Sequence, residues 1–234
     1  MEKKFTIVIP IFNEVESIFE LVEEIFSVFK NYKFDLLIVN DGSTDTFINE
    51  SKKKFLKKKI NIVSHNTNKG KCVAMLTGIK NSKNNIICVI DGDGQNPPSE
   101  AKKMLEFWMR EDDFDFKILC GHRVNRMDNF IKRISSKIAN YVRRLILSDD
   151  CFDTACALKV FQKKDYLKLG YFKNMHRFLP AMFKYNGGKV INIPIIDRKR
   201  KKGTSKFNFN NRFWVGIIDL LKVLYILKFK RSNK

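Results

Sequence analysis

Short apolar runs alternate with helix-like segments through the first 120 residues, and this alternation limits the possible folds more than any other feature. The first run, Phe5–Ile11, is continuously apolar, as is typical of a strand buried on both faces of a sheet. Further strand-like runs follow at Leu36–Asn40, Ile60–Ser64, Ile86–Ile90 and Phe116–Cys120. Strands that alternate with helices predict an α/β fold with a mostly parallel sheet flanked by helices.

Helical periodicity fills the gaps between these runs. Apolar residues recur at helical spacing between Ile18 and Phe29, and Asn13 is a candidate cap for that helix. Three more helices are predicted: a lysine-rich one after Asp45, one over Gly70–Lys80, and one over roughly residues 99–110 that Pro97-Pro98 opens.

The second half of the chain predicts one strand and two amphipathic helices. Phe130–Leu147 combines an apolar stripe with five basic residues, and Val190–Ile196 is strand-like. Phe213–Leu227 is an apolar helix of 15 residues interrupted by Asp219 and Lys222, which is too short and too polar to span a bilayer. For each helix, packing on the sheet is favoured over contact with a membrane surface, although cationic flanks are typical of interfacial helices too.

The two halves of the chain differ in charge. Residues 1–120 hold 18 basic and 18 acidic side chains, whereas residues 121–234 hold 27 and 7, so the whole net charge of +20 lies in the second half. Such a basic surface favours nucleic acid, an anionic membrane or a phosphorylated substrate as its partner. Because no nucleic-acid-binding motif is recognisable, we expect no specific nucleic acid partner.

Cysteine usage and the N-terminus indicate the compartment. Five cysteines without a CxxC pair favour neither a disulfide framework nor a zinc site, and Cys88 and Cys120 lie in apolar runs as candidate core residues. The apolar run that begins at Phe5 is too short for a signal peptide. We expect a cytoplasmic protein that is peripheral at the inner face of the cytoplasmic membrane.

Two carboxylates follow the strand-like run Ile86–Ile90. Asp91 and Asp93 stand one residue apart around Gly92, so both can face one divalent cation, and Gln95 could add a neutral oxygen. Mg²⁺ or Mn²⁺ held there would bridge the oxygens of a diphosphate. A solvated Asp-Gly turn is the competing interpretation.

Polar clusters also follow the first two strands. Asp41 could accept hydrogen bonds from a nucleobase or ribose, and Asp45 is a candidate helix cap, although a simple turn explains both equally well. Glu14 places another carboxylate after the first strand, and Lys69-Gly70-Lys71 suits an anion at a helix N-terminus, with surface charge as the alternative. Because open α/β sheets bind ligands at the carboxyl edge of their strands, we expect these clusters to form one site.

In this order the motifs resemble the family-2 glycosyltransferases with a GT-A fold, and within that family the polyprenyl-phosphate sugar transferases of the dolichyl-phosphate mannosyltransferase type. The resemblance covers about residues 5–210, and the matching stretches are PIFNE (10–14), DGSTD (41–45), NKGK (68–71), DGDGQNPP (91–98), GHR (121–123), DTACALKVF (153–161), HRFLP (176–180) and RKRKKGTSKF (198–207). The QxxRW signature of processive polysaccharide synthases is absent, which disfavours chain elongation.

The resemblance implies a Rossmann-like GT-A domain over residues 1–210, with a nucleotide-sugar half (1–120) and an acceptor half (121–210). An apolar and basic helix over 211–234 would follow, with a membrane interface as one place for it. The implied reaction is metal-dependent, inverting transfer of a sugar from a UDP- or GDP-linked donor to dolichyl or undecaprenyl phosphate, with Mg²⁺ or Mn²⁺ as cofactor.

The resemblance also implies roles for individual residues. Those that would hold the donor are Pro10, Asn13, Glu14, Asp41, Lys69, Lys71 and Gly92. Those that would hold the metal are Asp91, Asp93 and Gln95. Asp93 would also act in catalysis. Six further residues would act in catalysis by facing the phosphates, the transferred sugar or the acceptor: Arg123, His176, Arg177, Arg198, Arg200 and Lys206. Asp153 is the candidate base for a hydroxyl acceptor, although its stretch departs from the family, which often has glycine near the middle.

Two other functions remain open at this stage. One is a soluble family-2 transferase that acts on a glycan hydroxyl, and the other is a basic nucleic-acid-binding protein, which would leave the strand-end acids unexplained. A Rossmann dehydrogenase is excluded, because no GxGxxG follows the first strand.

Overall fold

The computed structural model describes residues 4–56, 58–110, 116–124, 140–199 and 218–227, and in these ranges it forms one sheet with helices on both faces. The strands are β1 (Phe5–Ile11), β2 (Phe34–Asn40), β3 (Ile60–Ser64), β4 (Ile86–Val89), β5 (Lys117–Arg123), β6 (Lys159–Gln162) and β7 (Lys189–Ile195). The helices are α1 (Val15–Val28), α2 (Phe47–Lys54), α3 (Lys71–Asn81), α4 (Pro98–Arg110), α5 (residues 140–147), α6 (Lys163–Lys168), α7 (Leu179–Tyr185) and α8 (residues 218–227), with a 3₁₀ turn at Met175–Arg177.

The sheet has the strand order β3-β2-β1-β4-β6-β5-β7. Strands β1 to β4 pair in parallel, and β5 pairs in parallel with β7, which confirms the predicted mostly parallel α/β sheet. Strand β6 runs antiparallel to both of its neighbours, β4 and β5. This strand was not predicted, because it has four residues and its polar ends, Lys159 and Gln162, gave no apolar run although both are buried.

Two layers of apolar side chains hold the helices to the sheet. On one face, α1 and α4 pack against the side chains of Ile7 and Ile9 from β1, and Trp108 of α4 is fully buried there. On the other face, α3 and α7 pack against Val8 and its neighbours. Because successive side chains of a strand point to opposite faces, the continuous apolar run of β1 supplies both layers.

Helix α3 packs close to the sheet at Gly78. A Cβ atom on this residue would lie 2.4 Å from Cγ1 of Val8 and 3.1 Å from Cγ2 of Val39, both of which are buried. A side chain would therefore push the helix away from β1 and β2. The glycine fixes the height of α3 above the sheet and with it the position of Lys71 at the start of the helix.

The two predicted C-terminal amphipathic helices fall partly within the described residues, as α5 and α8. One side of α8 packs on the protein, where Val223 and Leu227 contact Phe178 and Ala181. Residues 130–139 and 213–217 of the two predicted segments lie outside the described residues. Among the helices that the structure describes, none is both long enough and apolar enough to cross a membrane.

Candidate active site

The loops after β1, β2 and β4 meet at one edge of the sheet, as the sequence predicts. The backbone N–H of Asn13 donates to Oγ of Ser43 at 2.9 Å, and Oδ1 of Asn13 accepts from the N–H of Thr44 at 2.7 Å. Ser17 at the start of α1 donates its hydroxyl to the carbonyl of Gly92 at 2.8 Å. These bonds fasten the three loops to one another.

The prediction that Asn13 caps α1 is wrong. Asn13 has a φ of +53° and its side chain turns to Thr44, while the helix begins after Glu14. The first N–H of the helix, that of Val15, instead donates to Oδ2 of Asp45 at 3.0 Å. The other oxygen of Asp45 accepts from the N–H of Phe47 at 3.2 Å, so one carboxylate binds the starts of both α1 and α2.

Asp41 directly follows β2 at this edge of the sheet and holds a loop in place. Its side chain is buried, and its carboxylate accepts hydrogen bonds from the N–H groups of Lys69 and Gly70 at 2.9 and 2.8 Å. Nδ1 of His65 lies 2.7 Å from the same carboxylate. The structure therefore gives Asp41 a role in shaping segment 65–70, in which the side chain of Lys69 is exposed.

The carboxylate pair predicted for a metal follows β4. Oδ1 of Asp91 lies 2.5 Å from Nζ of Lys71, and the Asp91 side chain is 30% exposed. Oδ1 of Asp93 accepts from the N–H of Gln95 at 3.0 Å. Gly92 between them is needed because a Cβ there would lie 2.5 Å from Cγ2 of Ile11.

These residues fit a divalent cation of the Mg²⁺ or Mn²⁺ class. Their oxygens are hard ligands, and the ammonium group of Lys71 already places a positive charge against Asp91. Among the described residues, no three His, Cys, Asp or Glu side chains are grouped as a complete metal site. A cation here would therefore take its other ligands from amide oxygen, water or the diphosphate of a substrate.

Arg123, at the end of β5, forms a buried ion pair. Its Nε and Nη2 atoms donate to the two carboxylate oxygens of Asp153 at 2.7 and 3.0 Å, and Nη1 lies 3.6 Å from Oδ2 of Asp197. Burial alone would lower the pKa of Arg123, but the hydrogen bonds and charge of Asp153 outweigh it and raise that pKa. Burial raises the pKa of Asp197, an effect that the charge of Arg123 opposes and that of Asp93 reinforces.

Arg198 lies beside the loop that follows β4 but is paired with Glu24 of α1. Its Nη1 and Nη2 atoms bind the two carboxylate oxygens of Glu24 at 3.1 and 2.7 Å. Its Nε donates to the carbonyl of Gly94 at 2.5 Å, and its backbone N–H donates to the carbonyl of Gln95 at 2.9 Å. Arg200 and Lys206 lie outside the described residues.

His176 packs against the first turn of α3. Its Nδ1 atom lies 2.9 Å from Sγ of Cys72, and its backbone N–H donates to the same sulfur at 3.3 Å. Burial, and then the positive charges of Lys71, Lys159 and Arg177, lower the pKa of His176 well below 6.5. The imidazole is therefore neutral at neutral pH.

Comparison with known proteins agrees with this geometry. A family model described as glycosyl transferase family 2 matches residues 6–170, which is more than half of the chain. The chain belongs to glycosyltransferase family 2. Its expected position among the polyprenyl-phosphate sugar transferases is supported by the names of two relatives, and those names give sugars other than the mannose of the dolichyl-phosphate mannosyltransferase type.

Two curated relatives illustrate this. The dodecaprenyl-phosphate galacturonate synthase of Rhizobium johnstonii is 32% identical over 97% of this chain and 68% of the relative. The undecaprenyl-phosphate 4-deoxy-4-formamido-L-arabinose transferase of Pectobacterium carotovorum subsp. carotovorum is 26% identical over 88% of this chain and 63% of the relative. The chain thus spans about two thirds of the length of these relatives.

Solved structures of low sequence identity show the same fold. Glucosyl-3-phosphoglycerate synthase from Mycobacterium tuberculosis, in a complex with Mn²⁺, UDP and its product, matches with a TM-score of 0.69 at 12% identity, over 96% of this chain and 80% of that one. The same enzyme with Mg²⁺ and UDP matches with a TM-score of 0.70 at 11% identity, over 96% and 79%. At such low identity the likeness shows the fold alone, and that fold is GT-A.

The GT-A fold brings most of the predicted site residues to one edge of the sheet. Pro10 is buried at the end of β1, Glu14 precedes α1, and Arg177 belongs to the same 3₁₀ turn as His176. Sequence reasoning missed Cys72, Glu24 and the buried pair of Asn96 and Asp197, in which Nδ2 of Asn96 donates to Oδ1 of Asp197 at 3.1 Å. Only Cys72, next to Lys71 in the NKGK motif, carried a signal that could have found it. The ligand roles of the predicted residues stay predictions.

The Arg123–Asp153 pair should be essential for stability. Arg123→Met leaves the Asp153 carboxylate buried without its partner, which typically costs about 3–5 kcal/mol of unfolding free energy. Urea denaturation measures this loss, and adding Asp153→Asn should recover part of it. Lys58→Met, which breaks the surface pair with Glu23, is the control and should cost less than about 1 kcal/mol. Equal losses for Arg123→Met and Lys58→Met would contradict the assignment.

The neutral state of His176 predicts how stability depends on pH. The unfolded chain binds a proton at this ring below about pH 6.5, but the folded protein does not. The contribution of neutral His176 to the free energy of unfolding is therefore complete above that pH. It is lost as the pH falls toward the lowered pKa, by up to about 1.4 kcal/mol per pH unit. Thermal or urea unfolding of wild type and His176→Gln between pH 7 and 5 measures the difference. Parallel pH profiles for the two proteins would refute the prediction.

Proposed function

We propose that this protein transfers a sugar, with inversion, from a nucleotide-diphosphate sugar to a polyprenyl phosphate. Its family and the names of the two curated relatives support this class of acceptor. The observation that carries the proposal is the meeting of acids and cations at one edge of the sheet. There Asp91 and Asp93 follow β4, Lys71 contacts Asp91, and Arg123 and Arg198 reach the same edge from the second half.

The donor would lie over the ends of β1, β2 and β4. Pro10, Asn13, Glu14 and Asp41 line or shape the nucleoside end, and Lys69 and Lys71 stand on its diphosphate side. Asp91 and Asp93, with Gln95 beside them, would hold a Mg²⁺ or Mn²⁺ ion. That ion would supply positive charge to the diphosphate as it leaves. With an ion bound, Lys71 would be free to leave Asp91 and contact the phosphates.

The state of Asp153 supports a phosphate acceptor over a hydroxyl acceptor. A hydroxyl needs a carboxylate base, and Asp153 is the candidate for that role. Both of its oxygens are bound by Arg123, and the side chain is buried. A lipid monophosphate is already an anion near neutral pH and needs no strong base, so the engaged carboxylate is no obstacle to its attack.

The cost of this reaction is repulsion between the acceptor phosphate and the donor diphosphate. Each pair of like charges at about 4 Å costs roughly 4 kcal/mol at an effective dielectric constant near 20. Cations from the second half offset it, and we assign this task to Arg177 and Arg198, with Arg200 and Lys206 from the RKRKKGTSKF stretch. Neutral His176 would lie beside the transferred sugar and form hydrogen bonds with it. The protein would act as a peripheral protein at the cytoplasmic face of the membrane.

An acceptor assay tests the proposal directly. Purified protein is incubated in detergent with Mn²⁺, undecaprenyl phosphate and a panel of UDP- and GDP-linked sugars, and lipid products are identified by mass spectrometry. We expect a glycosylated lipid phosphate with at least one donor, and none with undecaprenol, which lacks the phosphate. Transfer to a free glycan hydroxyl without any lipid product would overturn the proposal in favour of the soluble transferase.

Asp93→Asn tests the metal assignment. Removing this carboxylate should abolish the part of the donor-induced thermal stabilisation that requires Mn²⁺, and should lower transfer by roughly 100-fold or more. The matched control is Asp35→Asn, since Asp35 lies at the opposite end of β2 and accepts from Asn84. An unchanged metal-dependent shift in Asp93→Asn would remove this residue from the site, as would full activity in excess chelator.

A further inference from the structure

Helices α5 and α8 expose an unusual amount of apolar surface. Of the fifteen large hydrophobic side chains that are exposed among the described residues, seven lie on these two short helices. On each helix they recur at spacings of three, four or seven residues, so they form one stripe. We call this set the outer stripe: Tyr141, Val142, Leu145, Ile146, Ile218, Leu221 and Tyr225.

The inward sides of the same helices carry charged residues. Arg143 of α5 is 7% exposed, with Nε 2.7 Å from Oδ2 of Asp149 and Nη1 2.6 Å from Oγ1 of Thr154. Asp219 of α8 is 5% exposed and accepts from Nδ2 of Asn174 at 2.8 Å. These contacts fix the rotation of each helix about its axis. Val223 and Leu227 of α8 are buried beside Asp219, so this helix is apolar on its inner side as well, and the outer stripe is apolar surface beyond what packing on the protein requires.

The two helices are neighbours. Leu147 at the end of α5 packs into the same apolar cluster as Leu220, Val223 and Leu227 of α8, against Phe178. The outer stripe thus extends over two adjoining helices. Contiguous exposed apolar surface of this kind marks a contact with a partner or a membrane.

The charge of the two sequence segments that contain α5 and α8 indicates the partner. The segment 130–147 holds five basic and no acidic residues, and the segment 212–231 holds five basic residues and one acidic residue, the buried Asp219. Lys222 is exposed on α8 beside Leu221. Exposed apolar side chains in basic segments of the chain match the acyl chains and phosphates of an anionic bilayer. Nucleic acid would gain nothing from exposed leucine and isoleucine side chains.

We propose that the outer stripe is the surface by which this protein lies on an anionic lipid bilayer. The inference builds on the proposed function, whose acceptor is a lipid. Arg143 binds Thr154, the neighbour of Asp153, and Asp219 binds Asn174, two residues before His176. The docked helices therefore brace both walls of the site at the membrane surface, where a lipid-borne phosphate is presented.

Vesicle binding without donor or acceptor tests this surface. The full chain is sedimented with vesicles of phosphatidylcholine alone or mixed with phosphatidylglycerol. We expect the protein to bind the anionic vesicles with an affinity that weakens as salt is added. In the double variant Leu145→Ser/Leu221→Ser this affinity should drop by roughly tenfold or more. The matched control, Leu56→Ser/Ile62→Ser, removes exposed apolar side chains near edge strand β3 and should bind like wild type.

A second readout does not depend on loss of binding. The indole emission of Leu221→Trp should shift to shorter wavelength when anionic vesicles are added, and that of Leu56→Trp should not. The proposal is overturned if wild type ignores the vesicles, if the control loses as much as the stripe variant, or if the emission does not shift. It is also overturned if the stripe variant instead dissolves a dimer or abolishes binding to nucleic acid.

The result of the vesicle-binding test can be distinguished from the result of the transfer assay that tests the proposed function. Transfer to undecaprenyl phosphate in detergent reports on the site, and the stripe variant should retain it there. Absence of transfer by wild type with intact vesicle binding would reject the reaction and leave the docking surface standing.

Discussion

The ion pair between Arg123 and Asp153 is the interaction on which the candidate site depends. Arg123 ends β5, Asp153 lies in the loop before β6, and Asp197 follows β7, so one guanidinium joins three separate parts of the second half. Asp93, in the loop after β4, adds another negative charge nearby, which contributes to the raised pKa of Asp197. Without the guanidinium these carboxylates would repel one another in a poorly hydrated region, because buried charges are stable only when paired.

Burial divides the acids of the sheet edge into two kinds. The carboxylate oxygens of Asp41 and Asp45 accept hydrogen bonds from backbone N–H groups and thereby fix the loops and helix starts around the site. Asp91 is more exposed and is bound by the side chain of Lys71, a contact that a ligand can replace. The edge is therefore organised before any ligand arrives, which lowers the entropy that binding must overcome.

The sequence predicted the parallel half of the sheet well, because buried strands and helical periodicity leave clear local patterns. It could not predict β6, whose pairing is antiparallel and non-local, or the turn of Asn13 away from α1. The resemblance implied a phosphate-facing role for Arg198, but the sequence did not predict its pairing with Glu24, which is 174 residues away. The contact of Cys72 with His176 was equally hidden, since such partners are set by tertiary packing. Local patterns thus locate the ligand-facing acids, whereas the pairing of charges requires the fold.

All five cysteines of the chain are free and buried. Burial raises the pKa of the Cys88 and Cys156 thiols to about 12, and these two side chains lie on the sheet and in the loop behind the site. A thiol reagent in water therefore meets almost no thiolate while the protein stays closed. Their rate of modification reports how often the interior opens, so the native chain carries its own probe of breathing motions, with no label added.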